Sequence, residues 1–337
     1  MALTGILSLL RSPGLSRVAL SGHERPDGDS LGACLGLIEI FHSLGRPARL
    51  VNPGPIPEKY RFLLRPGCLA EHGEPGWWRE YDLFGALDCE AGRLPEANRE
   101  AANRLPVFNI DHHVSNPGFG RAFWVEPAAS STSEMLVRLI GAAGWELTRE
   151  AAQALWTGIV TDTGRFSQEN ATAGALEAAR ICLLAGADPV LSEVKVNQSA
   201  SLGERRLQGR ALERLRLLAG GRLAASWVEP ADFRAAGLPG DVSYDLINCL
   251  GGIAGVEAWV LFTDPGPAAP GIKVSLRTLA PHDAVRLVRR FGGGGHRRAA
   301  GCQILDGLAA ARDRFIAAAL EEFFPPDGHG DGGIPPP

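Results

Sequence analysis

The amino-acid sequence predicts an α/β protein that opens with a doubly wound, mainly parallel sheet and continues into a smaller α/β unit. In the first half of the chain, short apolar runs alternate with helical patterns, which is typical of a parallel sheet covered by helices. The alternation resumes after a long helical segment in the second half. With 337 residues, the chain is expected to form two domains, at about 150 residues each.

The elements of the first half follow from the spacing of the apolar residues. Strands are predicted at residues 17–21, 47–51, 81–87 and 105–110. Helices are predicted in the alanine-rich stretch between the last two strands and at 29–44, 130–143, 150–160 and 172–185. The run 151–161 fits a strand equally well, so its assignment stays open. Gly28, Gly32 and Gly36 recur at helical spacing, which predicts close packing of their helix against a neighbour.

The second half contains a helical segment followed by another α/β pattern. Helices are predicted at 201–217, 243–250 and 308–324, and strands at 222–228, 256–263 and 272–278. This organisation predicts four parts: a first domain at 1–188, a helical connector at 189–217, a second domain at 218–325 and a disordered Pro/Gly-rich tail at 326–337.

Composition excludes several classes of protein. The net charge is −4, which excludes a strongly basic protein wrapped along a long polyanion but allows a small anionic ligand. No run of about 18 or more uncharged apolar residues is present, so no membrane-spanning helix is expected. The six cysteines are scattered without a CxxC pair, which argues against a disulfide scaffold or a cysteine-rich zinc site. A reduced, cytosolic setting fits best.

Polar residues follow four apolar runs at the point where each run ends. They are the spaced set His23, Asp27 and Asp29, the single Asp88, the triplet Asp111-His112-His113, and Asp162. Residues just past the carboxyl ends of parallel strands share one crevice, which is where ligands bind in open α/β sheets. Each aspartate taken alone also fits a helix N-cap or a loop position, and Asp29 precedes a helix. The repetition at every strand end favours a joint site.

The donor set indicates a metal centre. Carboxylates and imidazoles without a thiol suit Mn²⁺, Mg²⁺, Fe²⁺ or Zn²⁺, and the lack of cysteine argues against structural zinc. Their number fits two ions about 3.5–4 Å apart, which is the arrangement of in-line phosphoryl displacement. In this hypothesis, His23 and Asp27 bind one ion. Asp29, His112 and Asp162 bind the other ion, and Asp88 bridges both. Asp111 is expected to orient a neighbouring histidine.

A second signal is the run GGGGHRRAAG, which begins at Gly292. Glycines allow close approach of a ligand to the backbone, and the adjoining His296 and arginines carry donors suited to phosphate. The run fits a flexible loop equally well, and it is neither a P-loop nor a GxGxxG fingerprint. Arg277 ends a strand-like run and fits either a phosphate or carboxylate contact or a solvated strand end. Trp77 and Trp78 are expected to pack in the core.

These motifs resemble those of a known family. The segment HERPDGDSLG, the isolated Asp88, the DHH triplet and Asp162 resemble the ordered motifs of the DHH phosphoesterases. GGGGHRRAAG resembles the signature of their C-terminal DHHA1 domain. Both sets occur in the family's order and span nearly all of residues 15–325. The length and the two-domain layout resemble those of the compact oligoribonuclease and pAp phosphatase branch, the nanoRNases.

The resemblance implies two Mn²⁺-type ions in the first domain, with Mg²⁺, Co²⁺ or Fe²⁺ as alternatives, and a second domain that grips nucleotide. It supports the metal ligands assigned above. It also implies that His113 contacts the scissile phosphate, with Asp111 and Asp88 as the other catalytic residues. The substrate-binding residues that it implies are Arg277, Gly293, Gly294, Gly295, His296 and Arg297. The first motif departs from the family's usual Gly-Ser pair, since it reads Gly32-Ala33.

The resulting hypothesis is a cytosolic phosphoesterase that cuts oligonucleotides of two to five residues to mononucleotides and converts 3′-phosphoadenosine 5′-phosphate (pAp) to AMP. In this hypothesis, a hydroxide that bridges two ions attacks phosphorus, while His113 and cations of the second domain position the phosphate. The expected partners are short RNA or DNA and nucleotide phosphates. No membrane and no long nucleic-acid groove are expected, and a homodimer is an open alternative.

Other functions remain as alternatives. A cyclic di-AMP or linear dinucleotide phosphodiesterase shares the same metal motifs, and sequence does not separate it from the main hypothesis. A RecJ-type single-strand exonuclease would carry additional nucleic-acid-binding modules, and a manganese pyrophosphatase would lack the glycine-histidine signature. A non-catalytic nucleotide-binding protein would be expected to have lost a metal ligand. A dinucleotide-dependent oxidoreductase would carry the missing GxGxxG.

Overall fold

The computed structural model describes residues 2–240, 246–268 and 270–325. The chain divides into two compact units, Met1–Ser199 and Ala200–Pro337, which we call unit 1 and unit 2. The division lies inside the segment 189–217 that the sequence analysis assigns to a connector, and the finer domain limits stay predictions. The predicted helix at 243–250 lies partly outside the described residues, and the predicted disordered tail at 326–337 lies wholly outside them.

Unit 1 is a parallel α/β sheet with its connecting helices. Its strands are β1 (Val18–Ser21), β2 (Ala48–Val51), β3 (Leu69–Ala70), β4 (Leu83–Leu87), β5 (Val107–Asp111) and β6 (Ala122–Val125). Its helices are α1 (Ala2–Leu10), α2 (Gly28–Ser43), α3 (Glu96–Arg104), α4 (Thr132–Ala143), α5 (Arg149–Asp162), α6 (Ala173–Leu184) and α7 (Pro189–Ser192). All the strands of this sheet pair in parallel, so the predicted fold class is confirmed.

The strand order is what positions the site. The order across the sheet is β3-β2-β1-β4-β5-β6. The chain adds β2 and β3 on one side of β1 and then β4, β5 and β6 on the other side, so the switch point lies between β1 and β4. In doubly wound folds, the crevice at this switch point, outside the carboxyl ends of the strands, binds ligands. The loops that leave β1 and β4 at this point carry His23 and Asp88.

Both faces of the sheet are buried, as a doubly wound fold requires. One face packs against α1, α2, α4, α5 and α6, and its core includes Leu20, Leu87 and Ile110. The other face packs against α3 and a short 3₁₀ turn, Trp77–Glu80. Trp77 is buried in that second core and Trp78 packs on it, which confirms that both tryptophans serve packing.

The glycine spacing on α2 allows the contact with α5 that the sequence analysis predicts. A Cβ added to Gly32 would lie 2.5 Å from the carbonyl oxygen of Ala154, and one added to Gly28 would lie 2.2 Å from Oγ1 of Thr161. The run 151–161, whose assignment the sequence analysis left open, lies in helix α5 and is not a strand. Because α5 lies this close to α2, its last residue, Asp162, comes near the start of α2.

Unit 2 is built on a mixed sheet. Its strands are β7 (Arg216–Leu218), β8 (Leu223–Val228), β9 (Ala258–Thr263), β10 (Ile272–Thr278), β11 (Gly294–His296) and β12 (Ala299–Ile304). Its helices are α8 (Leu202–Glu213), α9 (Pro230–Ala236), α10 (Ala284–Arg289) and α11 (Leu308–Phe323). The order is β11-β12-β10-β9-β8-β7, in which β8 and β9 pair in parallel and the other neighbours pair antiparallel.

Unit 2 confirms the predicted strands and adds elements that the sequence analysis missed. The segment GGGGHRRAAG contains the hairpin β11–β12, in which Gly294 pairs with Gly301 and Gly295 pairs with Ala300. Helix α8 buries Leu207 and Ala211 in the core of unit 2, so the main helix of the predicted connector is packed within this unit. Among the described residues, no helix combines the length and the hydropathy needed to cross a bilayer.

The α2–α5 contact generates a stability prediction. We expect Gly32→Ala to lower the free energy of unfolding by about 1–3 kcal/mol, because the added methyl group meets backbone atoms of α5 that cannot move independently. Urea denaturation followed by circular dichroism measures the change. The matched control is Gly141→Ala at an exposed position of α4, where the added Cβ meets nothing within 4 Å. An equal loss in both variants would contradict the proposed close contact.

Candidate metal centre

The first motif places three side chains at the end of β1. His23 lies in the loop after β1, and its side chain is buried. Asp27 is the N-cap of α2, where its Oδ1 accepts the N–H of Ser30 at 3.0 Å. Asp29 lies in the first turn of α2 and is buried. The sequence analysis left an N-cap role for Asp29 open as an alternative to metal binding. In the structure the N-cap is Asp27, and its second oxygen faces His23.

One group of possible ligands forms around His23. Nε2 of His23 lies 3.6 Å from Oδ2 of Asp27 and 3.7 Å from Oδ2 of Asp88. One ligand atom from each residue lies within 4.8 Å of the others. Such spacing leaves room for one ion with bond lengths of about 2.0–2.2 Å to nitrogen and oxygen.

A second group forms around His112. Its Nε2 lies 3.5 Å from Oδ2 of Asp162 and 4.0 Å from Oδ2 of Asp29. These three residues also have ligand atoms within 4.8 Å of one another. Nε2 of His112 lies 3.6 Å from Oδ1 of Asp88, while the other oxygen of Asp88 faces His23. Asp88 therefore has one oxygen toward each group, which is the geometry that a bridging carboxylate needs.

Asp88 holds this position with an uncommon backbone conformation. Its φ is 56°, in the left-handed region that non-glycine residues rarely adopt and that aspartate tolerates better than most. Strain of this kind is concentrated at functional sites, where the surrounding structure compensates for it. Thr132 contributes to that compensation, because its Oγ1 donates to Oδ1 of Asp88 at 3.3 Å.

The DHH triplet contributes two different kinds of residue. Asp111 is fully buried, and its Oδ1 lies 2.6 Å from Nδ1 of His113. Nδ1 of His113 also lies 3.5 Å from Oδ1 of Asp88. The structure thus pairs Asp111 with a histidine, as the sequence analysis expects, and it brings all the predicted metal ligands together at one site. Their roles as ligands stay predictions.

The electrostatics of the site call for cations. Burial, together with the charges of Asp29 and Asp27, raises the pKa of Asp88 well above its usual range. Burial and the same two charges also raise the pKa of Asp162 well above its usual range. Burial lowers the pKa of His112, so this ring favours the neutral form that binds metals. Ionised carboxylates this close repel one another unless positive charge lies between them. The oxygen and imidazole donors fit Mn²⁺, Mg²⁺ or Fe²⁺.

Sequence analysis missed the residues that hold these ligands in place. Asp29 accepts the backbone N–H groups of Thr132 and Ser133, at 2.7 and 2.9 Å, in the first turn of α4. Nδ2 of Asn170 donates to the carbonyl oxygens of Ser130 and Asp162, which ties α5 to the loop before α4. The only sequence signal for this loop is Ser131 three residues before a glutamate, which is typical of a helix N-terminus.

Unit 2 places its predicted substrate residues on adjacent strands. Arg277 of β10 pairs in register with Ala299 of β12, which pairs in turn with His296 of β11. Gly295 has φ +139°, and a Cβ there would lie 2.6 Å from the carbonyl oxygen of Ala299. Arg297 is exposed in the turn after β11. The side chain of His296 lies outside the described part of the structure, and the substrate-binding roles of this set stay predictions.

Thr278 anchors the turn between β11 and β12. The sequence analysis missed this residue as well. It is buried, and its Oγ1 donates to the carbonyl oxygens of His282 and Arg297, at 3.2 and 3.3 Å. The carbonyl oxygen of Arg297 also accepts the N–H of Ala284 at 2.8 Å. The glycine-rich segment is therefore an anchored hairpin and not a loose loop.

Comparison with known proteins agrees with this architecture. Residues 17–159 match the model of the DHH family, N-terminal domain, and residues 221–324 match the DHHA1 domain. The chain is 34% identical over 312 residues to the bifunctional oligoribonuclease and PAP phosphatase NrnA of Thermus thermophilus, which covers 90% of each protein. The chain belongs to the DHH family. The Bacillus subtilis protein of the same description is 29% identical over 89% of this DHH chain and 92% of its own length.

Other relatives define the range of the family. The cyclic-di-AMP phosphodiesterase GdpP of Geobacillus thermodenitrificans is 25% identical over 91% of this chain, which spans 48% of that protein. An exopolyphosphatase-related protein from Bacteroides fragilis has the same fold, with a TM-score of 0.83 and 24% identity over 91% of this chain and 92% of its own. As a DHH protein with NrnA relatives, the chain is a phosphoester hydrolase.

The buried carboxylates generate a prediction for the metal-free protein. The pKa of Asp88 is raised in the folded state, so folding takes up protons and the free energy of unfolding falls as pH rises from about 4 through that raised pKa. We expect Asp88→Asn to stabilise the metal-free protein at pH 8, on the order of 1–3 kcal/mol, because it removes one of the repelling charges. The gain should shrink at pH 5. Urea melts in EDTA measure both values.

Asp111→Asn is the matched control with the opposite sign. Burial raises the pKa of Asp111, but the hydrogen bond and charge of His113 and the hydrogen bond from Asn116 outweigh it and lower the pKa. The ionised form is therefore the stabilising one, and the amide should lower the free energy of unfolding at pH 8. If both variants shifted stability in the same direction, the assigned electrostatics would be wrong.

Proposed function

We propose that this DHH hydrolase cuts oligonucleotides of two to five residues to mononucleotides and converts pAp to AMP. The observation that carries the proposal is the convergence of the motif side chains on the ends of β1, β4, β5 and α5. Support also comes from NrnA of Thermus thermophilus, whose similarity extends over 90% of both chains. Because the likeness extends through both units, it favours a shared substrate class and not only shared metal chemistry.

The proposed metal ligands divide into two groups that share one residue: His23, Asp27 and Asp88, and Asp29, His112, Asp162 and Asp88. We propose two divalent ions, Mn²⁺ first, with Mg²⁺, Co²⁺ or Fe²⁺ as alternatives. When bound, the ions would neutralise the carboxylates and supply an activated water and a Lewis acid for the phosphoryl group. Asp29 is held ready by two backbone N–H groups, and Asp88 by Thr132.

The residues that would handle the phosphate are His113 and its partner Asp111. A carboxylate 2.6 Å from Nδ1 accepts a hydrogen bond from the imidazole and orients the ring in the site. An imidazole fixed in this way positions a phosphoryl oxygen without rearrangement during the reaction. His113 is partly buried at the edge of the site, where a substrate can reach it.

Unit 2 would bind the nucleotide end of the substrate. Arg277 at the end of β10 and Arg297 in the hairpin turn supply positive charge, and Gly294, where a Cβ would meet nothing within 4 Å, leaves the backbone open to close approach. Gly293 and Gly295 pack closely against β12, where a Cβ would lie within 2.6 Å of a carbonyl oxygen. The net charge of −4 suits a short substrate with few phosphates. A cytosolic location, consistent with six free thiols, is part of this proposal, and a homodimer stays an open alternative.

A second candidate is a cyclic di-AMP phosphodiesterase. It is favoured by the likeness to GdpP, which extends over 91% of this chain. The chain spans only about half of that relative, so the remainder of GdpP has no counterpart in the alignment. The same substrate panel separates the two candidates.

The test is a substrate panel with purified protein and Mn²⁺: RNA and DNA of two to five residues, a 24-mer, pAp, cyclic di-AMP and pyrophosphate. We expect turnover of the short oligomers and pAp, and loss of both activities in Asp88→Ala, because one residue serves both metal groups. Glu177→Ala, which removes an exposed carboxylate on α6, should retain normal rates. Failure to hydrolyse short oligomers and pAp would refute the proposal, and sole hydrolysis of cyclic di-AMP would establish the alternative.

Arg277 provides a test of the role of unit 2. We expect Arg277→Ala to raise KM for pAp by about tenfold, the equivalent of about 1.4 kcal/mol, with kcat largely retained, because a charge-assisted hydrogen bond to phosphate is lost in both ground and transition states. Arg234→Ala on α9, where the arginine is exposed, is the control. An unchanged KM in Arg277→Ala would exclude a phosphate contact by this residue.

A further inference from the structure

Asn116 is a buried residue that lies beneath the DHH triplet and touches its aspartate. Its Nδ2 lies 2.6 Å from Oδ2 of Asp111 and 3.0 Å from Oδ1 of Asn109. Its Oδ1 accepts the N–H of Gly118 at 2.8 Å, and its own N–H donates to the carbonyl oxygen of His113 at 3.1 Å. With only 5% of its surface exposed and both ends of its amide engaged, Asn116 has a fixed orientation.

Asn116 completes the hydrogen bonding of a fully buried carboxylate. Oδ1 of Asp111 accepts from the backbone N–H of His113 at 3.1 Å and lies 2.6 Å from Nδ1 of the same residue. Oδ2 of Asp111 accepts from Asn116. A buried carboxylate oxygen without a donor is costly, so loss of the amide would turn the carboxylate toward other donors. That movement would break the 2.6 Å contact between Oδ1 of Asp111 and Nδ1 of His113, which orients the ring.

We propose that Asn116 is a positioning residue for phosphoester hydrolysis, which acts by holding Asp111 so that the contact of Asp111 with Nδ1 fixes the ring of His113 in the site. The inference rests on the proposed role of His113 at the phosphate. The amide contributes a directed donor, which an apolar residue of similar size cannot supply. Loss of an outer hydrogen-bond partner of a functional histidine typically costs about 10- to 100-fold in activity.

The first experiment observes the imidazole directly. Protein carrying ¹⁵N-labelled histidine is compared by NMR with Asn116→Ala and Asn116→Leu, in metal-free and Mg²⁺-containing samples, and His113→Gln identifies the signals of His113. We expect the Nδ1 signal of His113 to show the hydrogen bond to Asp111 in the unchanged protein and to shift in both Asn116 variants, because the carboxylate moves away from the ring. Asn98→Ala is the matched control, because Asn98 is fully buried and donates to Ser21 and to the carbonyl oxygen of Val51.

The second experiment measures kinetics with Mn²⁺ on the substrates that the unchanged protein hydrolyses. We expect both Asn116 variants to lose about 10- to 100-fold in kcat with KM changed less than about threefold, while Asn98→Ala keeps kcat within about threefold. Circular dichroism confirms that each variant is folded, and Asn116→Ser replaces any variant that is not.

The two proposals fail in different ways. If the unchanged protein hydrolyses none of the panel, the proposed function fails, and the histidine spectra alone still decide the role of Asn116. If the Nδ1 signal of His113 is the same in the Asn116 variants as in the unchanged protein, or if Asn98→Ala loses as much kcat as they do, the inference about Asn116 is overturned.

Discussion

The repulsion among buried carboxylates is the constraint on which the rest of unit 1 depends. Asp29, Asp88 and Asp162 lie around one histidine, with little solvent to separate their charges. At an effective dielectric constant near 20, two charges about 4 Å apart interact by about 4 kcal/mol, which is comparable to the net stability of many domains. The fold tolerates this cost because rigid elements hold each carboxylate. The same cost makes cation binding favourable, since bound cations relieve the repulsion among the carboxylates.

The rigidity comes from different physical sources at each carboxylate. Asp29 is held by the first N–H groups of α4, which have no partner within their own helix. Asp162 is placed by the contact of α5 with the glycines of α2, since a larger residue at Gly32 would push the helices apart. Asp88 is held at a left-handed backbone position by the loop after β4. These supports are linked, since Thr132 donates to both Asp29 and Asp88, so displacement of one of these carboxylates would disturb the other.

The sequence predicted the central strands and the ligand set because both follow from local patterns. Apolar runs identify β1, β4 and β5. Because parallel strands share one ligand-binding edge, the polar residues that follow these strands are expected to lie together. Helix α5 was ambiguous because it is buried on most of its surface, which hides the helical period. The glycine hairpin of unit 2 could not be separated from a loop, since glycine has no strand preference of its own. Thr132 and Asn116 gave no signal, because a backbone donor or a single amide acts only through the tertiary structure.

The distribution of charge bears on why such a hydrolase would prefer short substrates. A protein gains affinity for a long polyanion by pairing many lysines and arginines with successive phosphates. This chain has a net charge of −4, and two of the arginines that precede the glycine hairpin of unit 2, Arg286 and Arg290, are paired with Glu322. In the proposed function, the binding energy would therefore come from one terminal nucleotide and would not grow with length. At equal mass of nucleic acid, short oligomers offer more termini, so a preference for them follows from the number of chain ends and needs no device that excludes longer chains.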